Sequence, residues 1–411
     1  MTGRHLPSTT RAGAVRLLHA AARHRWLTAM LVVVVGLTPV WWSLGDALAN
    51  PQLGNSLSAR AAEWVRDHGG GRLVVRAENA WYGRHAPPVG ARLAPGAIPA
   101  LPPAPSSSPA AADVGAAAGG LPPAPSHLST PAALRPFVAT PTPGEGMWHP
   151  VGRLVGGIPA VYEAFLRPDA AHTGEVTGVA WMDTKLLRAQ LYSGSYVPGG
   201  GPWKFTAPIK PDAAASLVAA FNSGFRMRDS LGGYYSEGRM FRALRPGAAS
   251  LVIYRDGTVT VGAWGQDVSF TPDVVAVRQN LSLLVDNGRP VAGLSANDTK
   301  VWGRTISNRI YVWRSGLGVT ASGAIVYVGG PGLNITDLAN VLVRAGAVRA
   351  MELDINTDWV NLATWTPASP SGAATAANGS DLLPNMAGDP SRYFSAQWAR
   401  DFVTMSARSG P

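Results

Sequence analysis

The feature that most restricts how this chain can fold is an uncharged apolar run, WLTAMLVVVVGLTPVWWSLG, at positions 26–45. As a helix rising about 1.5 Å per residue, a run of this length spans the roughly 30 Å hydrocarbon core of a bilayer. Trp26 at one end and Trp41 with Trp42 at the other suit the two membrane interfaces. We therefore predict a transmembrane signal anchor. A cleaved signal peptide and the buried helix of a soluble protein are the alternatives.

The residues before this run predict its orientation. Residues 1–25 contain five arginines and no acid, which predicts a cytoplasmic N-terminus and an extracytoplasmic remainder at the cell membrane. Half of the formal net charge of +10 therefore lies in this short segment, and no run of Lys and Arg follows it. Because a nucleic-acid surface needs clustered positive charge, we expect no nucleic-acid partner.

Two segments separate the anchor from the folded part of the chain. Residues 46–94 form a membrane-proximal segment, in which SLSARAAEWVRDHGGG (56–71) predicts a short amphipathic helix capped by Ser56 or Ser58. Residues 95–144 contain 13 prolines and two charged side chains, which predicts a disordered Pro/Ala-rich stalk. The folded domain is then expected at 145–411.

Short apolar strands dominate the first half of this domain. The segment SLVIYRDGTVTVGAW (250–264) predicts a β-hairpin in which Asp256-Gly257 forms a type I′ turn. Residues 177–183 and 186–195 predict two further strands, paired with each other.

Helices are fewer and lie later. Asn334 is the expected N-cap of a helix that Gly346 ends, and a strand follows it up to Asp354. Residues 390–405 have aromatic side chains at helical spacing and predict a second, docked helix. The expected fold class is α+β, with a mixed, strand-rich sheet and a few packed helices.

Residue types exclude several kinds of chemistry. The chain has no cysteine, so thiol nucleophiles are excluded. Its last histidine is His172, so a Ser-His-Asp triad would need His149 or His172, and we expect no His-rich metal site in the domain. Carboxylates, amides, hydroxyls, Arg and Lys remain, which favours acid/base chemistry on glycosidic or phosphate bonds. Such acid/base chemistry requires no cofactor, although Ca²⁺ or Mg²⁺ bound by oxygen atoms stays an alternative.

The candidate catalytic residues are carboxylates. In MELDINTDWV (351–360), strand alternation would place Glu352 and Asp354 on one face, and Glu237 is the only other glutamate after position 175. Two neighbouring carboxylates raise the pKa of one of them, and an acid paired with a base is what glycoside cleavage uses. The alternative is that Asp354 caps a turn and Glu352 faces water.

Amides and arginines provide candidate binding groups. Asn222 and Gly224 follow a predicted strand in AAFNSGFRM, where an amide could bind a sugar or phosphate oxygen, although an ordinary Asx turn has the same pattern. Arg314 lies in an apolar strand and needs a carboxylate or a phosphate as partner. Arg278 also lies in an apolar segment, VVAVRQNL, and needs a partner of the same kind.

The order of these motifs resembles the phosphodiester glycosidase family over roughly residues 175–365. Asn222, Ser223, Gly224 and Phe225 correspond to the Asn-Gly-Gly-Phe motif of the family. Arg314 with Gly318 matches its Arg-x-x-x-Gly strand, and Leu353-Asp354 matches the start of its Leu-Asp-Gly-Gly-Gly-Ser motif. The chain departs from the family at Gly329-Gly330, where an Asp-Gly-Arg turn is missing, and at 355–358, where Ile-Asn-Thr-Asp replaces the glycines.

The anchor, the Pro-rich segment and the C-terminal LLPNM, RYF and RDF motifs resemble an actinobacterial, membrane-bound branch of the family. The resemblance implies an extracytoplasmic glycosidase that acts on sugar-1-phosphodiesters of cell-envelope glycans. Asp354 would be the acid/base or nucleophile, and Glu352 or Glu237 the second carboxylate. Arg314 would bind phosphate, while Asn222 and Asn356 would orient the sugar. The alternative is a catalytically inactive envelope glycan-binding or scaffolding module of the same fold.

Overall fold

A computed structural model describes residues 10–50, 53–54, 56–74, 76–77, 87–98, 126–294, 302, 311–386, 389–396 and 398–408. The helices are α1 (Thr10–Ala49), α2 (Leu57–Val65), α3 (Pro211–Ala214) and α4 (Ile335–Arg344). A π-helical turn follows α2 at Arg66–Gly70, and 3-10 turns occur at Ala376–Asn378 and Pro390–Phe394. Of the predicted basic N-terminus, residues 1–9 and the side chains of 10–28 lie outside the described part.

Helix α1 contains the predicted anchor. Its segment Ala29–Ala49 is 21 residues long with a mean hydropathy of 1.6, and is long and apolar enough to cross a membrane or to act as a signal sequence. Large apolar side chains from Met30 to Trp42 are exposed, so this segment is not packed into the protein. Ser56 caps α2, as predicted, by accepting a hydrogen bond from the Ala59 amide at 3.1 Å.

Three sheets form the domain. Their strands are β1 (His149–Val155), β2 (Ile158–Leu166), β3 (Thr177–Met182), β4 (Leu187–Tyr192), β5 (Leu217–Asn222), β6 (Tyr234–Ser236), β7 (Arg239–Arg242), β8 (Ala249–Tyr254), β9 (Val259–Ala263), β10 (Val274–Gln279), β11 (Leu283–Asp286), β12 (Arg289–Pro290), β13 (Val312–Thr320), β14 (Ile325–Leu333), β15 (Ala347–Asp354), β16 (Leu362–Trp365), β17 (Gly379–Asp381) and β18 (Phe402–Ala407).

The first sheet has eight strands in the order β1-β2-β3-β14-β13-β15-β11-β12. The second has the order β17-β16-β5-β18-β4, and the third has the order β7-β6-β10-β8-β9. The described strands pair antiparallel, and parallel pairing is confined to isolated bridges such as Ser193–Thr206. The predicted class, α+β with many strands and few helices, is confirmed.

Helix α4 packs on one face of the first sheet and begins as the sequence predicts. The Asn334 side chain accepts hydrogen bonds from the amides of Thr336 and Asp337, and Asp337 reaches back to the Asn334 amide. Gly346 follows the helix with φ +90°, the left-handed conformation that ends many helices. The other face of the sheet covers the main core, which includes Leu317 and Tyr327.

Two strand predictions are wrong in detail. Strands β3 and β4 are not paired, because Asp183 ends β3 by accepting hydrogen bonds from the amides of Lys185 and Leu186, and the chain then enters another sheet. Strands β8 and β9 do pair, but their turn is not type I′. Only Gly257 has a positive φ, +81°, and its amide bonds to the Tyr254 carbonyl, as in a type I turn followed by a left-handed glycine.

The predicted helix over 390–405 is also wrong. Only Pro390–Phe394 forms a 3-10 turn, and the chain then becomes strand β18, which pairs with β4 and β5. The spacing of Phe394, Trp398 and Phe402 that predicted a helix reflects their packing in one cluster, in which Trp398 and Phe402 are buried and Phe394 is partly buried. Strand pairing therefore overrides the helical pattern.

The domain begins before residue 145. Leu128 and Leu134 are buried in the core that covers α4, and the Leu128 amide bonds to Asp183 at 2.7 Å. Within the predicted stalk, residues 126–144 thus pack on the domain as extended chain with few regular elements. The centre of the stalk, 99–125, lies outside the described residues.

Two glycine substitutions test the β8–β9 turn. A Cβ atom at Gly257 would lie 2.5 Å from the Arg188 Cβ, whereas one at Gly288, which has φ +71°, would meet no atom within 4 Å. Gly288→Ala should cost about 1 kcal/mol of unfolding free energy through backbone strain alone. Gly257→Ala should cost about 1–3 kcal/mol more because of overpacking. Chemical denaturation measures both, and equal losses would contradict the crowded turn.

Candidate functional site

A β-bulge separates the two carboxylates of MELDINTDWV. Gly316 of β13 pairs with Glu352, but the preceding residue, Ser315, pairs with Asp354 rather than Leu353. Paired residues share a face, and neighbours along a strand alternate. Glu352 therefore shares the face of Gly316, whose Cβ position lies against Leu338 and Leu342 of α4, and Asp354 lies on the opposite face. The prediction that Glu352 and Asp354 share one face is wrong, because the extra residue of the bulge interrupts the alternation of side chains along β15.

Glu352 forms a buried ion pair with Arg314. Its Oε1 accepts a hydrogen bond from Arg314 Nη1 at 2.5 Å, and Arg314 Nε donates to the Leu333 carbonyl at 3.0 Å. Burial raises the pKa of Glu352 to about 7, although Arg314 opposes this shift. Arg314 thus has the carboxylate partner that its apolar strand required, and that partner is Glu352 rather than Asp354.

Asp354 ends β15 in a buried position, with an exposed fraction of 2%. Its Oδ1 accepts hydrogen bonds from the amides of Ile355 and Asn356 at 2.8 and 3.1 Å. Burial raises the pKa of Asp354 to about 6, while the positive charge of Arg400 and these two amides act in the opposite direction. Asp354 can therefore exchange a proton near neutral pH.

A polar network lies beside Asp354 and joins the first two sheets. The Ser315 hydroxyl accepts from the Asp354 amide at 3.2 Å and from Asn222 Nδ2 at 3.1 Å. Asn222 Oδ1 in turn accepts from the Tyr327 hydroxyl at 2.9 Å and from the Asn361 amide at 3.2 Å. The Asn222 side chain therefore bonds to protein partners and positions Ser315 at the end of β15, while its predicted contact with a ligand stays a prediction.

The third sheet reaches the site through Arg278. This side chain is fully buried, pairs through Nε with the Asp401 carboxylate, and also donates to the carbonyls of Phe225 and Gln279. A Cβ atom at Gly224 would lie 3.1 Å from the Arg278 guanidinium. Gly224 thus accommodates the Arg278 side chain beneath the turn that Arg278 holds, and the predicted contact of Arg278 with phosphate stays a prediction.

Arg400 is a functional candidate that the sequence analysis missed. It is buried, with an exposed fraction of 5%, and its guanidinium carbon lies 4.2 Å from the centre of the Trp359 ring. Its Nη1 has no hydrogen-bond partner among the described residues. Burial lowers the pKa of Arg400, and the negative charge of Asp354 is the largest effect that raises it. The only signal in the sequence was a charged pair, Arg400-Asp401, between aromatic residues.

The segment after Asp354 folds on itself. Asn356 Oδ1 accepts from the Asp358 amide at 2.9 Å, and the Asn356 carbonyl accepts from the amides of Trp359 and Val360. Asn356 thus stabilises a turn, and its predicted contact with a sugar stays a prediction. Burial raises the pKa of Asp358, with Arg392 opposing the shift and Glu63 of α2 adding to it.

Glu237 lies elsewhere. It is exposed in the two-residue turn between β6 and β7, where Glu237 and Gly238 have φ +54° and +74°. Its carboxylate accepts hydrogen bonds from the amides of Lys204 and Phe205, both at 2.8 Å. It lines a surface cleft whose other lining residues include neither Glu352 nor Asp354. The structure therefore does not bring Glu237 to the other two carboxylates.

No group of three or more His, Asp or Glu side chains placed to hold a metal ion occurs in the part of the chain that the structure describes. The fold and the site together define an α+β protein of three sheets. Its candidate site has a buried carboxylate, Asp354, on whose pKa the buried Arg400 acts.

Residues 215–354 match the model of the phosphodiester glycosidase family. This match confirms the resemblance that the motifs predict, supports a glycosidase-type function, and ends at Asp354 itself. No curated protein matches the chain.

Three solved structures are similar to this chain at low identity. The zebrafish N-acetylglucosamine-1-phosphodiester alpha-N-acetylglucosaminidase catalytic domain, auto-inhibited by its pro-peptide, is 14% identical with a TM-score of 0.41, covering 64% of this chain and 88% of that one. A hypothetical protein from Synechocystis is 12% identical with a TM-score of 0.33, covering 61% and 63%. A protein from Burkholderia pseudomallei K96243 is 12% identical with a TM-score of 0.32, covering 58% and 75%. At these TM-scores the three structures support no argument about the site.

The Arg278–Asp401 pair can be tested by removing its acid. Asp401→Asn leaves the Arg278 charge buried without a counter-charge, so the unfolding free energy should fall by about 3–5 kcal/mol. The control is Asp273→Asn, which removes the exposed pair with Arg255 and should change stability by less than about 1 kcal/mol. Chemical denaturation of both variants gives the comparison, and a small loss in Asp401→Asn would contradict a supporting role for the pair.

Proposed function

We propose that this protein is a membrane-anchored, extracytoplasmic glycosidase that hydrolyses sugar-1-phosphodiester linkages in cell-envelope glycans. The family match supports the reaction type, and the apolar helix Ala29–Ala49 with the arginines before it supports the location. The observation that carries the proposal is the buried Asp354 carboxylate at the end of β15, which accepts hydrogen bonds from the Ile355 and Asn356 amides and on whose pKa the charge of Arg400 acts. The actinobacterial origin suggested by the motifs remains part of this proposal.

Asp354 acts as the base in this reaction. A water molecule attacks the anomeric carbon, its oxygen forms the new C–O bond, and its proton passes to Asp354 while the C–O bond to phosphate breaks. The leaving group is a phosphate monoester, whose second pKa is about 6, so it departs near neutral pH without a proton from an acid. One carboxylate on this face of β15 is therefore sufficient, whereas ordinary glycoside cleavage uses two.

The remaining candidates support this base rather than act on the substrate. Glu352 and Arg314 hold the start of β13 against β15 from the opposite face, and Asn222 fixes Ser315 beside Asp354. Glu237 would contact a ligand only if a long glycan also occupied the surface cleft that it lines.

A catalytically inactive glycan-binding module is the second candidate. It is favoured by the Asp354 Oδ1 atom, which already accepts two amide hydrogen bonds, and by the side chains that replace glycines at 355–358. Saturable binding of an N-acetylglucosamine-1-phosphodiester by the purified full chain, with no release of sugar, would favour this module over the hydrolase.

Asp354→Asn tests the base directly. With a synthetic N-acetylglucosamine-1-phosphodiester as substrate, the rate of sugar release by the full chain should fall at least about 100-fold, because the amide cannot accept the water proton. Asp212→Asn, which changes an exposed acid in the first turn of α3, should leave the rate unchanged. Equal rates for Asp354→Asn and the wild type would rule out Asp354 as the base.

The pH dependence gives an independent test. Because the base must be deprotonated, sugar release should increase with pH through about 6, the pKa of Asp354. The positive charge of Arg400 lowers the pKa of Asp354, so Arg400→Gln should move the midpoint of this rise to higher pH. The full pH–rate profile separates this shift from any loss in maximum rate, and an unmoved midpoint would mean that the two charges do not interact.

A further inference from the structure

Helix α2, just after the predicted anchor, lies against the candidate site. Its Glu63 is buried, with an exposed fraction of 4%, and its Oε2 forms an ion pair with Arg226 Nη1. Arg226 stands four residues after Asn222, on the segment that leaves β5. A side chain from outside the family-matched segment thus contacts the segment that follows Asn222, and Asn222 bonds to Ser315, which accepts from the Asp354 amide.

Contacts on both sides hold α2 in this place. Toward α1, Trp64 donates to the Ser43 hydroxyl at 3.0 Å, and Arg60 donates to the Leu48 carbonyl at 2.8 Å. Toward the domain, Asp67 in the turn that follows α2 pairs with Arg228 at 2.5 Å and accepts from the Tyr196 hydroxyl at 2.8 Å. The helix therefore connects the end of α1 directly to the site.

Glu63 interacts with arginines of its own helical segment and of the domain. Arg226 already has an acidic partner within the domain, since its Nε bonds to Asp229 at 2.7 Å. Arg400 is buried and its Nη1 atom lacks a hydrogen-bond partner among the described residues, while the negative charges of Asp354 and Glu63 both raise its pKa against the lowering by burial. Glu63 thus pairs with two arginines, Arg66 in the turn after α2 and Arg226 of the domain, and its charge also acts on Arg400.

A carboxylate and a phosphodiester have the same recognition chemistry. Each carries one negative charge and presents two acceptor oxygens to the planar fork of a guanidinium. The charges of Arg400 and Arg226 both lower the pKa of Asp354, so an anion bound to these arginines would act on the proposed base. In contrast, Arg278 and Arg314 have their guanidinium groups taken up by buried carboxylates and carbonyls.

We propose that Arg226 and Arg400 form the subsite for the phosphate of the substrate, and that Glu63 of α2 occupies this subsite in the structure as an internal substitute for phosphate. Phosphate binding then requires that α2 withdraw Glu63. The inference rests on the proposed function for the identity of the anion, and it assigns to the membrane-proximal segment control over access to the site.

Competition of this kind has a defined effect on affinity. Only molecules in which α2 has withdrawn Glu63 can bind the anion. The apparent dissociation constant is then the intrinsic dissociation constant divided by the fraction of molecules in that form. A change that weakens the Glu63 contact therefore tightens binding without adding any contact to the ligand.

Titration of the full chain in detergent micelles with N-acetylglucosamine 1-phosphate, followed by calorimetry, tests the subsite. Glu63→Gln should bind about tenfold or more tightly than the wild type, because the neutral amide competes poorly for the two arginines. Asp46→Asn, which removes an exposed negative charge near the end of α1, should bind as the wild type does. Adding Arg400→Gln to Glu63→Gln should abolish the gain. Equal affinities for Glu63→Gln and the wild type would overturn the proposal.

A measurement on the wild type avoids any effect of substitution on folding. Saturating N-acetylglucosamine 1-phosphate should increase hydrogen–deuterium exchange at the amides of residues 61–65, because α2 loses its contact with Arg226. Unchanged or slower exchange there would contradict displacement of the helix. Binding needs no turnover, so a protein that binds the sugar phosphate in this way but releases no sugar would disprove the proposed hydrolase and leave the subsite standing.

Discussion

The site depends on one buried ion pair, Arg278–Asp401, in which both side chains are fully shielded from water. It connects the third sheet to the second, and through the Phe225 carbonyl it also holds the turn after β5. Two charges removed from water are costly unless they pair well, so the positions of these strands are coupled to one another. Asp401 follows Arg400 directly, and the same pair therefore fixes the backbone that places Arg400 near Asp354.

A second constraint is the bulge opposite Ser315. Without the extra residue, Glu352 and Asp354 would face the same side of the first sheet, and their like charges would be adjacent. The bulge gives each acid its own surroundings instead. Glu352 joins Arg314 in a buried pair on the α4 side, while Asp354 meets the polar network of Asn222 and the charge of Arg400. One face is thereby structural, and the other holds the groups proposed to act on the substrate.

The sequence predicted what depends on local pattern. The capped helix from Asn334 and the strand that ends at Asp354 follow from neighbouring residues, and the structure confirms both. What failed depends on contacts between distant segments. Strand alternation could not reveal a bulge, since a bulge is defined by the partner strand. The spacing in 390–405 could not distinguish a helix from a strand that β4 and β5 cover on both sides. Glu63 and Arg226 pair across 163 positions of chain, which no spacing rule predicts.

The central claim is that a sugar phosphodiester binds with its anomeric carbon beside Asp354 and its phosphate near Arg400. A crystal structure of the Glu63→Gln chain with N-acetylglucosamine 1-phosphate bound is the most direct measurement. The account predicts phosphate oxygens within hydrogen-bond distance of Arg226 and Arg400, and the sugar ring next to the Asp354 carboxylate. Density for the ligand in the cleft lined by Glu237, with the Asp354 site unchanged, would contradict it.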